Sequence, residues 1–209
     1  MYQYGVKIPF GNLLLSLSEA VELCSPTLMH HQLRTAFIVW EIAKQAGLNP
    51  VEIERLFLAA LFHDVGALTP EEKIQLHQFE EKNSDRHCLM GANLLARVPW
   101  MAPAAPIVRH HHHRWDERSA IEFGDVQRDS QILMLADHLE RRIDRSAYIL
   151  HQHDEVIGQL ESQAGDYFDP EILACLKQAA AREEFWFDLT SPRLYSLLLH
   201  FGPYQKKEL

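Results

Sequence analysis

Apolar residues recur three and four positions apart along almost the whole chain, and nowhere alternate long enough to suggest a strand. Four helix starts are punctuated alike, by a capping residue followed by proline: Asn49-Pro50, Thr69-Pro70, Asp169-Pro170 and Ser191-Pro192. The capping side chain accepts from an otherwise unpaired amide, and proline fits the first turn, where its missing donor is not needed. Thr69 and Glu72 also have the spacing of a capping box. Together these signals predict about nine helices, over 11–23, 28–46, 50–66, 70–81, 85–97, 102–113, 126–145, 148–163 and 170–200, the last broken near Pro192. The fold class is all-α. The boundary that the pattern suggests is Gly165-Asp166, giving a main domain over 1–165 and a C-terminal helical extension over 166–209 packed on it. The extension is rich in aromatics (Phe185, Trp186, Phe187, Tyr195, Phe201), expected in the core or at an interface.

Composition narrows the function. At 209 residues and 47% hydrophobic, the chain can bury a substantial core. A net charge of -9 argues against a duplex nucleic acid partner. It also disfavours a phosphate substrate, unless bound metal or local basic residues offset it. Cys24, Cys88 and Cys175 have no metal spacing and cannot all pair, which suits a reducing, cytoplasmic setting. No apolar run reaches the ~20 residues that span a bilayer, and no signal-peptide pattern is present, so no membrane partner is expected.

The outlier is histidine, at 13 residues, clustered along the chain. His63-Asp64 closes an apolar stretch that starts near Leu56 and reads as a buried helix. A buried carboxylate is costly unless paired or bound to a metal. Asp137 sits in a second apolar stretch, QILMLADHLE. His30 and His31, His87, and the run His110 to His113 fall on other predicted helices. Imidazoles and carboxylates from several helices are how bundles build metal centres in their cores. Four consecutive histidines cannot all face one way, because successive helical residues turn by about 100°. Two neighbours reach one site only where a helix ends.

The order of these residues resembles the HD superfamily of metal-dependent phosphohydrolases, and in detail its HD-GYP branch, which hydrolyses cyclic dinucleotides such as cyclic di-GMP. The likeness runs from about residue 28 to 150. His31 to Arg34 (HQLR) resembles H-S-x-R, and Leu58 to Gly66 (LAALFHDVG) resembles A-A-L-L-H-D-I-G. His87 to Gly91 resembles H-x-x-x-G, His111 to Asp116 resembles H-H-E-R-W-D, and Leu135 to Asp137 resembles V-A-D. The resemblance implies an HD-domain helical bundle holding two divalent ions, iron or manganese. His31, His63, Asp64 and Asp137 would hold one ion, and Asp64 would bridge to a second held by His87, His111 and His112. His110-His111 is the alternative pair if the Arg-Trp-Asp alignment is off by one. A water bridging the ions would act as the nucleophile, with Asp64 and His63 as the central catalytic residues. Arg145 and Arg114 would contact substrate phosphate. The partner implied is a nucleotide-type small molecule, with room for a homodimer or a fused or partnering signalling domain.

The likeness has gaps. Ala67 stands where the family carries lysine, no G-Y-P tripeptide follows Asp116, and His113 replaces a glutamate. Thr27 stands where three-metal members carry glutamate, which favours two metals. Arg145 lies one residue from the family's arginine, Tyr148 keeps its place, and Arg34 has a core carboxylate as its alternative partner. Three functions follow: a phosphodiesterase of a cyclic dinucleotide; a catalytically weak or inactive HD-type sensor module; or a phosphohydrolase of another nucleotide.

Overall fold

The computed structural model describes residues 9–23, 29–69, 71–72, 84–120 and 124–207. Ten α-helices form among them: α1 Phe10–Glu22, α2 His31–Gln45, α3 Pro50–Leu61, α4 Ser84–Ala96, α5 Ala105–His110, α6 Gly124–Arg142, α7 His153–Glu161, α8 Pro170–Ala180, α9 Glu183–Leu189 and α10 Leu194–Phe201. Short 3-10 turns cover Ala102–Ala104, Trp115–Ala120 and Ile149–His151. No sheet forms among the described residues; one isolated bridge joins Ala164 and Phe168.

Three of the four expected caps act as the sequence implies. At Ser191-Pro192 the helix starts later, at Leu194 with Arg193 at its N-cap, because Ser191 Oγ accepts from the Arg193 amide at 3.1 Å in a turn before it. Asn49 accepts from the amides of Val51 and Glu52, and Glu52 returns a bond to the Asn49 amide at 2.9 Å. Asp169 accepts from the Glu171 amide at 2.8 Å. Thr69 and Glu72 close their capping box, although the rest of the helix predicted over 70–81 lies outside the described residues. Elsewhere tertiary contacts override the periodicity. The helix predicted over 50–66 stops at Leu61, so His63 and Asp64 sit in the turn beyond it. The helix predicted over 170–200 becomes α8, α9 and α10. Its first break, at Arg182, has neither glycine nor proline. There Arg182 turns extended to reach the buried carboxylate of Glu41, and the Trp186 indole donates to the Ala180 carbonyl at 2.8 Å.

The central helices are α2 and α6. α2 packs against α1, α3, α6 and α8, burying Leu33, Ala36, Phe37, Ile38, Val39, Ile42 and Ala43. α6 is buried from Asp129 to Glu140. Each fully buried Leu or Ile contributes about 1.5–3 kcal/mol. The chain after residue 165 shares this core. Phe185 packs on Phe37 at 5.6 Å between ring centroids, and Tyr204 contacts Phe10 and Phe57 while donating to the Glu54 carbonyl at 2.9 Å. Phe185 and Trp186 are buried, whereas Phe187 and Phe201 face solvent. No helix among the described residues is long and apolar enough to cross a membrane.

Candidate metal centre

Each residue of the centre sits at a place where the backbone turns or is buried. His31 opens α2, behind His30, whose φ of 64° is the left-handed conformation that few side chains adopt. His63 and Asp64 follow the end of α3, His87 lies in the first turn of α4, and Asp137 lies within buried α6. His111 and His112 follow the last residue of α5. His110 and His113 turn instead to each other, ring centroids 4.8 Å apart.

These elements bring the seven expected metal residues into one cluster. His31 Nε2 lies 3.3 Å from His63 Nε2, 3.2 Å from Asp137 Oδ1 and 3.9 Å from Asp64 Oδ2. His63 Nε2 lies 3.3 Å from Asp64 Oδ2 and 3.8 Å from Asp137 Oδ1. The other oxygen of Asp64, Oδ1, lies 3.7 Å from His87 Nε2, which is 3.2 Å from His112 Nε2. The His111 ring lies beside both, edge-on to His87 at 5.3 Å and tilted against His112 at 4.0 Å by centroid.

Outer partners fix the rings. A carbonyl can only accept, so His63 Nδ1 donates to Ala60 O at 2.8 Å and His111 Nδ1 to Val108 O at 2.7 Å. His31 Nδ1 meets Glu140 Oε2 at 2.5 Å. Glu140 also takes Arg34 Nε and Arg145 Nη2, each at 2.6 Å, on its other oxygen. Such outer bonds orient the imidazoles of metal sites.

The electrostatics divide the cluster. Burial would lower the pKa of His31, but the Glu140 and Asp137 carboxylates raise it to about 9. His63 likewise is raised well above its usual value against burial, by Asp64 and Asp137. Burial and the neighbouring His87 and His63 lower His111 to about 3. Burial, first of all, lowers His87 and His112 as well. Asp137, despite burial, is held well below the usual carboxylate range by Arg141, His31 and His63. The carboxylates thus favour the protonated form on the His31 and His63 side, while burial favours the neutral form of His87, His111 and His112.

That arrangement fits a metal. Buried His87 Nδ1, His111 Nε2, His112 Nδ1 and Asp137 Oδ1 make no hydrogen bond. The facing Nε2 atoms of His87 and His112, 3.2 Å apart, would either share one proton or turn two lone pairs to a shared cation. One donor set, His31, His63 and Asp64, lies within 4.8 Å, as does a second, His87, Cys88, His111 and His112.

The family model described as HD domain matches residues 28–142. The chain belongs to the HD domain family. This HD chain is 24% identical over 169 residues to the 3'3'-cGAMP-specific phosphodiesterase 1 of Vibrio cholerae, covering 77% of itself and 39% of that protein. It is 24% identical over 156 residues to a cyclic di-GMP phosphodiesterase of Thermotoga maritima, covering 68% of itself and 42% of that protein. It thus spans about two fifths of the length of these relatives. Its fold is similar to that of a cyclic GMP-AMP specific phosphodiesterase from V. cholerae, with a TM-score of 0.76 at 16% identity over 97% of this chain and 56% of the other. It is also similar to the HD domain of an L. monocytogenes phosphodiesterase in complex with cyclic di-AMP, with a TM-score of 0.51 at 14% identity over 80% and 93% of the two chains.

Two arginines expected at substrate phosphate are engaged within the HD chain. Arg145 bonds Glu140, and Arg114 bonds Asp166 and Asp116 while lying 4.1 Å over the Tyr167 ring. Arg34 takes the core carboxylate, Glu140. Sequence reasoning overlooked Glu140, Arg141 and Cys88. Glu140 and Arg141 lie three and four residues after Asp137, so helical spacing alone places them beside it. Cys88 Sγ lies 3.6 Å from His87 Nε2 and from His111 Nδ1, and burial followed by Asp64 pushes its thiol pKa up. No cysteine spacing could reveal that neighbourhood.

Proposed function

We propose that the chain is a metal-dependent phosphohydrolase, a phosphodiesterase acting on a cyclic dinucleotide. One observation supports this above others: Asp64 presents Oδ2 to His31 and His63 and Oδ1 toward His87, the posture of a bridging carboxylate. His31, His63, Asp64 and Asp137 would hold one divalent ion, and Asp64, His87, His111 and His112 a second. Imidazole and carboxylate donors suit iron or manganese. Bound there, the ions supply Lewis acidity toward phosphoryl oxygens and a water acidic enough to attack near neutral pH. The protein's own part is orientation. Glu140 fixes His31, backbone carbonyls fix His63 and His111, and burial keeps His87, His111 and His112 neutral and competent as ligands. Asp64 and His63 stand at the centre of this scaffold. We read residues 1–165 as the HD unit and 166–209 as a helical extension packed on it.

The relatives' names, with cyclic GMP-AMP and cyclic di-GMP as substrates, support the substrate class. The direct test is a long incubation of purified protein with cyclic di-GMP and with cyclic GMP-AMP, in manganese or ferrous iron, resolved by chromatography. A linear dinucleotide is expected. Ala67 is buried and supplies no cation, an observation that favours a second reading, a non-catalytic HD signalling module. Recovery of only intact substrate with metal bound would select that reading.

A further inference from the structure

The second ion of the proposed pair depends on a short corner of chain. His111 and His112 follow the last residue of α5, and α6 begins only at Gly124. Two bonds at this corner are local: His111 Nδ1 to the Val108 carbonyl, and the His113 amide to the His110 carbonyl at 3.0 Å. They shape the corner without fixing it against the rest of the centre. His31 has a support of the other kind, Glu140, 109 positions along the chain.

For the corner, Gln131 supplies that link. It lies in the buried part of α6, on the same helix as Asp137. Its side-chain Nε2 donates at 2.7 Å to the carbonyl of His113, the residue after His112. Its Oε1 accepts at 3.0 Å from the amide of Asp169, the N-cap of α8. One amide, donor at one end and acceptor at the other, therefore joins the helix that carries Asp137, the corner and the C-terminal extension. The turn before α8 grips the corner a second time. The amides of Trp115 and Asp116 donate to the carbonyls of Tyr167 and Asp166 at 2.9 and 3.0 Å, and Arg114 bonds the Asp166 carboxylate at 2.6 Å. That turn is itself held to α6. Phe168 is fully buried, its ring edge-on at 5.2 Å to that of His138, the neighbour of Asp137.

We propose that Gln131 is the positioning residue of the second metal site, holding the His111–His112 corner at the spacing an ion needs, with the turn over 166–169 as its outer brace. Metal–ligand distances tolerate about 0.2 Å, so a corner free to shift further than that releases its ion. Loss of the amide also takes a partner from the His113 carbonyl and from the Asp169 amide, and both backbone groups then favour a rearranged turn. The extension beyond residue 165 thereby takes part in the metal centre as well as in the core.

The proposal rests on the metal-dependent reading but is tested apart from turnover. Wild type and three variants are titrated with manganese by calorimetry and followed by electron paramagnetic resonance. Gln131→Met keeps the length of the side chain without its two bonds. Arg114→Ala loosens the outer brace at a side chain 28% exposed, and answers the question if the buried substitution does not fold. Leu189→Ala, buried in α9, is the control for lost stability. Two ions bridged by Asp64 couple magnetically, whereas an isolated ion does not. Second-ion affinity is expected to fall about tenfold to a hundredfold in Gln131→Met, the range for loss of an outer partner, and by a smaller factor in Arg114→Ala. The first ion should bind as in wild type, so the coupled spectrum gives way to that of an isolated ion. Leu189→Ala, though less stable in urea, should keep both ions. Unchanged second-ion affinity in the folded Gln131→Met overturns the proposal, as does equal weakening of both ions. If that variant does not fold, unchanged affinity in Arg114→Ala overturns it. Loss of the second ion from Leu189→Ala to the same degree also overturns it, assigning the effect to stability. Wild type that binds one ion overturns the proposal alone, and wild type that binds none overturns the metal reading with it. The expected losses with cyclic di-GMP left intact by wild type uphold the proposal while removing that substrate.

Discussion

Adding a single methyl group at Gly66 tests how the two halves of the centre are spaced. Gly66 is buried two residues beyond Asp64, against the first turns of α4. A Cβ built there lies 2.0 Å from the His87 carbonyl oxygen and 2.4 Å from the Gly91 amide nitrogen. Both are backbone atoms, so no side chain can swing aside. Real Cβ atoms essentially never approach closer than 3.0 Å, so Gly66→Ala must part the two segments by at least 3.0 − 2.0 = 1.0 Å. Metal–ligand distances tolerate about 0.2 Å, a fifth of that displacement. The atom struck belongs to His87 itself, whereas His31 and Asp137 lie on α2 and α6. The expected result is selective loss of the second ion, from about two per chain to about one. Glycine-to-alanine replacement ordinarily gains about 0.4–1 kcal/mol through the unfolded chain. Here overpacking, about 1–3 kcal/mol, outweighs it. At about 2–4 °C per kcal/mol for a chain of this size, Tm should fall by a few degrees. Elemental analysis and differential scanning calorimetry read the two effects. A variant that keeps its full metal complement and melts no lower than wild type would refute the reasoning.

Other outcomes follow from the same geometry. Asp64→Ala should lose most of both ions, because one carboxylate serves both sets; retention of one full equivalent in elemental analysis would contradict the bridging posture. Glu140→Gln should weaken metal binding about 10- to 100-fold by changing the partner of His31 Nδ1. It should also destabilise by about 1–3 kcal/mol, since Arg34 and Arg145 lose the carboxylate charge but are 14% and 41% exposed and partly regain water. Competition with a chelator and urea titration measure these two effects. Removing metal by chelation should lower Tm, and manganese should restore it, since ions that bind only the folded chain stabilise it. Finally, burial and then Glu54 raise the pKa of the Tyr204 phenol. The folded state therefore holds that proton more tightly than the unfolded chain does. Its contribution is complete below the ordinary tyrosine value near 10 and is lost as pH rises toward the raised one. Above pH ~10, wild-type Tm should fall faster with pH than that of Tyr204→Phe, which lacks this titration.

Much of the fold was legible because helices announce their own starts. Asn49-Pro50 and Asp169-Pro170 cap helices where the residues say they should. Ends were less legible. The stop at Leu61 and the break at Arg182 meet distant partners that no local pattern contains, the Ser18 hydroxyl at the Leu61 carbonyl and Glu41 at Arg182. The clustering of the candidate ligands was legible through residue types and their order, and His111 and His112 join it because α5 ends before them. The arginines were not. Arg34, Arg141 and Arg145 are alike in sequence, and whether each meets the buried Glu140 or the buried Asp137 is decided by three-dimensional neighbours.

The donors converging on this centre are strung along the chain from His31 to Asp137, with Glu140 just beyond. During synthesis, which proceeds from the N-terminus, a nascent chain that has emerged only as far as His112, just past α5, already displays the five imidazoles yet has neither Asp137 nor Glu140, which pin His31. The set proposed for the first cation is thereby left incomplete until the sixth helix has docked, so a truncated translation product cannot assemble the whole cluster.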